Sequence, residues 1–444
     1  MVGLRMRVTY YGQACTLIEA AGRTILTDPW LTEGAYFGTW YHTHVLAEAD
    51  VTPATIRKDL DYIFLSHEHE DHLDPATLRA FPPDIPILIC RFPTPKFRRY
   101  LESLGRRDIR ECESGVPIDL GDGLEVTIFG SAQYANDAAI LVSAEGFTVF
   151  NETDCKLSYQ NLERLGERKI DIGFFMFSGA NWYPMLYDTP EPLKIEQTRR
   201  RRRSLLRSFV ERVKLVRPRI AVPAAGPCTV LDPDLLWLNS PERGVFIDPE
   251  LAVAAADEAG VPSEAVYMRA SDVWDSATGI ERRAPAHFSL PRQEYLADAA
   301  ARRADEVLAR RTDGPAAQAD LPDRLARHFE ALIAAQTADI RARIGAKVAL
   351  DITGPHGGAW TLDFTSATRP YVREGLAADW SYRVEVADRL LYPFLTGEAP
   401  FFEDLFLTLR VALARRPDVY NEPLYHFFYE PDPDKLHAWY ASPR

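Results

Sequence analysis

Residues 62–75 read Tyr62-Ile-Phe-Leu-Ser-His67-Glu-His69-Glu-Asp71-His72-Leu-Asp-Pro75, an apolar run that breaks into a loop crowded with imidazoles and carboxylates. Asp61 to Ser66 has the length and composition of a short buried strand, and the acidic, turn-prone residues after it release the chain at the strand's carboxyl end. In that loop His67 and His69, two apart, point the same way, while Asp71 and His72 aim at an adjacent point. Imidazole with carboxylate suits zinc, iron or manganese, and the lack of a nearby thiolate argues against a purely structural zinc site. Three of the chain's ten histidines fall within the six residues 67–72, which sets the stretch apart from an ordinary solvated acidic loop.

Two other segments share the design of an apolar strand ending in an acid. Thr24-Ile-Leu-Thr-Asp28 offers Asp28 to orient a ligand histidine from behind, and Thr148-Val-Phe-Asn-Glu-Thr-Asp154 offers Asp154 as a third metal ligand. A turn or cap residue after a strand is the plainer alternative for each. Tyr36, Trp40, Tyr41, His42 and His44 form a candidate wall, with His42 and His44 as alternative ligands.

The chain has 444 residues, a net charge of −13 and a sequence pI near 5.4. That length favours two or three domains, and the acidic balance disfavours nonspecific binding to nucleic acid or anionic membrane. No apolar run approaches the roughly 18 residues of a spanning helix, and the start carries no apolar signal segment. The five cysteines are scattered, with no CxxC spacing. A reduced, cytoplasmic protein is expected.

Strand-like segments dominate to about Phe246, first in hairpin-like pairs and then alternating with helical patterns, as expected of sheets with helices packed outside. The expected division is residues 1–285 and 286–444. In the second region an Ala/Arg-rich helix runs to Arg311 and residues 312–320 read as a linker or exposed loop. Beyond it Leu321 to about Ile340 is an amphipathic helix, three strands follow within residues 348–386, and Phe401 to Leu413 reads as a helix. The run Arg199 to Arg203 reads as a solvated helix face, from which one or two arginines could reach a substrate phosphate.

Taken together, the HxHxDH signature with Asp28 before it and Asp154 after it resembles the metallo-β-lactamase fold, which implies an α/β architecture: an αββα sandwich with a metal site at one edge of its sheets. Asp28-Pro-Trp-Leu31, Ser66-His-x-His-x-Asp-His72, Asn151-Glu-Thr-Asp-Cys155, Val222-Pro-Ala-Ala-Gly226 and Arg416-Pro-Asp-Val-Tyr420 are similar to the catalytic part and tail of the CMP-N-acetylneuraminate hydroxylase family. The second region looks like a sterol-carrier-type α+β module. Its resemblance implies a lid, a pocket wall or an oligomer contact, and a lipid or small-molecule scaffold is a non-enzymatic alternative.

The departures from these families carry as much weight as the matches. The paired Cys-x-His and Cys-x-x-His ligands of a Rieske centre do not occur in the sequence. The fold's usual third histidine is replaced within Gly130-Ser-Ala-Gln-Tyr-Ala-Asn-Asp137, where Gln133 or Tyr134 stands at the expected place, and Ala221 to Gly226 offers no late histidine. What survives is His67, His69 and Asp154, two imidazoles and one carboxylate, the facial arrangement of non-haem Fe(II) sites. Asp71 and His72 are weaker second-site groups, and Asp71, His72, Gln133 and Tyr134 form the expected catalytic set. Zinc or manganese, and a dinuclear hydrolase of the phosphodiesterase or amidase class, are the alternatives.

Without a built-in relay, electrons must come from the substrate, a small reductant or a separate donor protein. Ser178, Asn181, Trp182 and Tyr183, with Trp40, offer the donors and flat faces that a sugar or base requires. A nucleoside, nucleotide or sugar is therefore the expected substrate alongside O2, with no nucleic acid and no membrane partner. A homo-oligomer and an external electron donor remain open.

Overall fold

The computed structural model describes residues 5–179, 182–311 and 316–442. Two compact units emerge: Met1–Ala180 with Thr198–Leu308, and Asn181–Gln197 with Ala309–Arg444. Residues 286–308 therefore pack with the first unit. Tyr295, Leu296, Ala299 and Val307 bury their side chains in its core.

The first unit contains two large sheets. One runs in the order Gly279–Glu281, Val273–Asp275, Arg7–Gly12, Cys15–Ala20, Arg23–Thr27, Tyr62–Phe64, Ile87–Cys90, Ile109–Cys112. The other runs Glu264–Ala265, Ile220–Ala224, Ile172–Met176, Phe147–Asn151, Ala138–Ala144, Glu125–Gly130, Pro117–Asp119. Val8, Ile18, Ile25, Phe64 and Leu88 of the first sheet share one core with Val126, Ile128, Ile140, Val142, Ile172, Phe174 and Val222 of the second. The alternation of strand side chains sends Phe129, Ala139 and Leu141 to the opposite face. There they meet Leu162 and Leu165 of helix Tyr159–Gly166 and Phe209, Val213 and Val216 of helix Glu191–Val216. Phe97 and Leu101 of helix Lys96–Ser103 cover the first sheet in the same way. These four layers, helix, sheet, sheet and helix, form an αββα sandwich.

Chain direction positions the site. Arg23–Thr27 lies parallel to Tyr62–Phe64, with Thr27 opposite Phe64, and Phe147–Asn151 lies parallel to Ile172–Met176, with Asn151 opposite Phe174. Residues that follow these strands emerge together at their carboxyl ends, where open α/β sheets gather ligands. Asn151 fastens the two sheets at that edge, its Nδ2 donating to Ala14 O at 2.9 Å and Thr27 Oγ1 at 3.1 Å.

The second unit holds a five-stranded mixed sheet, ordered Val372–Glu374, Gly358–Asp363, Lys347–Thr353, Tyr382–Ala387, Ala412–Arg415. The expected helix from Leu321 to Ile340 is two helices, Leu321–Ala335 and Ala338–Ile344, because Thr337 caps the second by accepting from Ile340 N. The expected helix from Phe401 to Leu413 is corrected: only Asp404–Leu407 is helical. Leu409 adopts a left-handed φ of 55°, and Leu413 sits opposite Val384 as a strand residue. Of the expected linker, residues 312–315 lie outside the described residues. Within the described residues, no helix is long and apolar enough to cross a membrane.

Candidate metal centre

The loop after Phe64 is tied down at its first residue. Asp28 follows Thr27 in the neighbouring strand, and its fully buried carboxylate accepts from Ser66 N at 2.8 Å through Oδ1 and from Ser66 Oγ at 2.6 Å through Oδ2. His72 Nδ1 lies 2.7 Å from the same Oδ2. A carboxylate there accepts a hydrogen bond from Nδ1–H and leaves Nε2 of His72 facing away, the usual support behind a metal-ligating imidazole. Nε2 then points to Asp71 Oδ2 and Asp154 Oδ1, each 3.7 Å away.

The same hydroxyl orients the second imidazole. With its hydrogen given to Asp28, Ser66 Oγ accepts from His67 Nδ1 at 2.8 Å, and His67 Nε2 is left 2.7 Å from His69 Nδ1. Two nitrogens bound to one ion at 2.0–2.1 Å each lie roughly 3 Å apart, so this pair has the spacing of donors to a shared cation. His67, His72 and Asp154 present donor atoms all within 4.8 Å of one another. The ligand residues expected from sequence thus gather in one place: His67, His72 and Asp154 as a compact group, His69 against His67, and Asp71 against His72.

A further carboxylate enters that sequence reasoning missed. Asp137 Oδ1 lies 3.4 Å from His67 Nδ1 and accepts from Ala138 N at 2.8 Å. Asp28 and Asp154 follow strands, whereas Asp137 precedes one. The strand Ala138–Ala144 is antiparallel to Phe147–Asn151, so its beginning lies at the same edge as the other strand's end. Ser131 N bonds Asp137 O and closes the loop on itself. That leaves Gln133 exposed, with its Oε1 accepting from Lys156 Nζ at 3.4 Å, and Tyr134 buried.

The electrostatics fit a cation. Burial pushes Asp137 and Asp154 well above the ordinary carboxylate range, with Asp71 and Asp137 adding to the rise at Asp154, and burial moves Glu70 the same way. Burial opposes charge on His72 as well, yet Asp71, Asp154 and Asp28 together raise it to about 10. His67 is held neutral by burial and by its histidine neighbours. Such donors share protons in place of positive charge, and a divalent ion competes for the same lone pairs. The donor set is imidazole and carboxylate, which suits iron, zinc or manganese.

The aromatic wall divides. Tyr36 reaches the centre: its hydroxyl donates to Asp71 Oδ1 at 2.6 Å, and Trp40 packs edge-on against its ring at 4.7 Å. His42 stacks on Trp30 at 3.9 Å and His44 on Phe288 at 4.3 Å; with Tyr10, Gln13 and Tyr267 they line a small pocket. Ser178 is buried with its Oγ accepting from Ile247 N at 3.0 Å. Asn181 lies outside the described residues. Trp182 and Tyr183 belong to the second unit, where Trp182 stacks on Phe406 and Tyr183 lies under Arg415. In the arginine run, Arg199, Arg200 and Arg203 are exposed, while Arg202 donates to Gly244 O and Phe246 O.

A beta-lactamase superfamily domain is matched over residues 7–171. A Mycolicibacterium smegmatis protein named as a putative Rieske 2Fe-2S iron-sulfur protein is 31% identical over 450 residues, covering 95% of this chain and 84% of that protein. The chain belongs to the beta-lactamase superfamily. Cytidine monophosphate-N-acetylneuraminic acid hydroxylase from Danio rerio is 30% identical over 236 residues, 51% of this chain and 39% of the hydroxylase. Among solved structures, CmlA, a diiron β-hydroxylase from Streptomyces venezuelae, aligns with 18% identity and a TM-score of 0.41, over 62% of this chain and 54% of its own. This member of the superfamily is therefore related to a hydroxylase and carries a His-His-Asp cluster at the edge of its sheets.

Two outcomes are expected. Asp28→Asn removes the acceptor that sets His72 and lowers divalent-metal affinity by about 10–100-fold in chelator-competition titration; unchanged affinity would contradict the role given to Asp28. His44, whose proton affinity burial lowers to about 3, stays neutral in the fold while the unfolded chain takes up a proton near pH 6.5. Its stabilising contribution is complete above pH 6.5 and falls as pH drops toward 3. His44→Phe should flatten that fall in urea-denaturation midpoints measured across this range.

Proposed function

We propose that this protein is a non-haem iron-dependent oxygenase acting on a nucleoside, nucleotide or sugar-type small molecule. The observation that carries the reading is the composition of the centre. His67 and His69 face one another, His72 and the carboxylate of Asp154 join His67 in one compact group, and the carboxylate of Asp137 stands beside His67. His42 and His44 stack on aromatic rings and His287 pairs with Glu48 at 2.8 Å. A first position on His67, His69 and Asp154, two nitrogens and one carboxylate, is the donor set of non-haem iron, with His72 on the adjacent side. Similarity to a hydroxylase over half of the chain supports the same class of chemistry.

In this reading His67, His69 and Asp154 hold the ion, Asp28 and Ser66 fix the imidazoles behind it, and Asp71 and His72 stand on the adjacent side. Ferrous iron, when bound, supplies the open positions and electrons that O2 chemistry needs. The protein's own groups orient the substrate, exclude bulk water from a largely buried cluster and hold protons near the reacting centre. Electrons beyond those of iron come from the substrate, a small reductant or a partner protein, since the sequence has no Cys-x-His pair for a cluster of its own. Trp40 is a wall for a flat substrate, and the second unit is an accessory module.

A dinuclear hydrolase is the second reading. The approach of Asp71 and Asp154 to one nitrogen of His72 favours it, because those three would serve a second ion. Elemental analysis of anaerobically purified protein separates the two. About one iron per chain, with O2 uptake stimulated by a member of a nucleoside and nucleotide-sugar panel and abolished in His67→Ala, is expected. Two zinc ions per chain with phosphodiesterase or amidase turnover would overturn it.

A further inference from the structure

Between Gly34 and Gly38 the backbone makes a left-handed turn. Tyr36 has φ 53° and ψ 61°, Phe37 has φ 56° and ψ 41°, and the flanking Gly34 and Gly38 have φ of 86° and 72°. Glycine adopts this region freely, but an L-residue placed there is strained. Strain of this kind persists only where the surroundings hold it, and an observed outlier is a reason to look for what it achieves.

Here it delivers one side chain to one place. Tyr36 has no exposed surface. Its backbone N–H bonds the Glu70 carboxylate, so the turn is anchored to the histidine loop, and its hydroxyl donates to Asp71 Oδ1 at 2.6 Å. Trp40 closes on the ring edge-on at 4.7 Å, fixing its plane. The bond to Tyr36 occupies one oxygen of Asp71 and leaves Oδ2 turned toward His72 Nε2 at 3.7 Å, on the side where Asp154 Oδ1 also lies at 3.7 Å.

We propose that Tyr36 is a positioning residue that fixes Asp71 so that Asp71, His72 and Asp154 form a second, weaker divalent-cation position beside the first. This inference rests on the reading of the cluster as a metal centre and is independent of iron and of any reaction. The energetic logic is that of a carboxylate ligand supported from behind. A hydroxyl bond spends one lone pair of Asp71 to restrict its rotation, so less freedom is lost when the other oxygen binds an ion.

The test is equilibrium titration of the full, metal-stripped chain with Mn²⁺ and, separately, Zn²⁺, without substrate. Wild-type protein should bind one equivalent tightly and a second more weakly. Tyr36→Phe keeps the ring and removes the hydroxyl; it should weaken the second step by about 10–100-fold and leave the first within about 2-fold. Asp71→Asn should lose the second step, and adding Tyr36→Phe to Asp71→Asn should change nothing further, because the hydroxyl then has no carboxylate to position. The Co²⁺-loaded protein should show a change in visible absorption on the second equivalent in wild type that Tyr36→Phe diminishes. A single equivalent in wild type, equal weakening of both steps, an additive double variant, or a Tyr36→Phe chain that does not fold would each overturn the proposal. Iron content and O2 uptake do not enter this experiment, so it can fail while the oxygenase reading stands, and the reverse.

Discussion

The site depends on a single buried negative charge. Asp28 has no exposed surface and sits at the end of an inner strand, where an unpaired carboxylate would cost several kcal/mol. Its charge is met by Ser66 twice and by His72 once. Those three bonds join two parallel strands, hold the first residue of the histidine loop in place, and fix which nitrogen of each imidazole is free. From there the order of the cluster follows: His72 Nε2 toward Asp71 and Asp154, and His67 Nε2 toward His69. The fold supplies the rest by bringing the carboxyl ends of strands from two sheets to one edge.

Charge balance connects this geometry to chemistry. Acids gather around three histidines in a buried space: burial raises the proton affinity of Asp137 and Asp154, neighbouring acids add to the rise at Asp154, and Asp71, Asp154 and Asp28 raise that of His72. A cluster with that appetite for positive charge is poorly explained as a structural element, because apolar residues of similar volume would serve packing as well or better.

Much of this was legible in the chain itself, because its signals are local. An apolar run followed by Ser66-His-Glu-His-Glu-Asp-His72 specifies both the strand and the ligands, and Asp28 and Asp154 repeat the pattern of a strand ended by an acid. Asp137 was not legible for a physical reason: it begins a strand, and only the antiparallel direction of that strand places its start at the same edge. Tyr36 was visible as an aromatic but not as a partner of Asp71, since its reach depends on a left-handed turn whose sole trace is a glycine on either side. Leu413 reads as helical by spacing and joins a strand instead, because pairing with Tyr382–Ala387 outweighs local preference. Trp182 and Tyr183 illustrate a different limit: side chains suited to a ligand are equally suited to stacking on Phe406 or Arg415.

The central claim is that His67, His69 and Asp154 act together as donors to one ion. The most direct measurement is X-ray diffraction from crystals grown with ferrous iron under anaerobic conditions, with data collected on both sides of the iron absorption edge. The account expects an anomalous peak about 2.0–2.2 Å from His67 Nε2, His69 Nδ1 and an Asp154 oxygen. An ion bound away from these groups, or no peak in protein whose fold is intact, would contradict it.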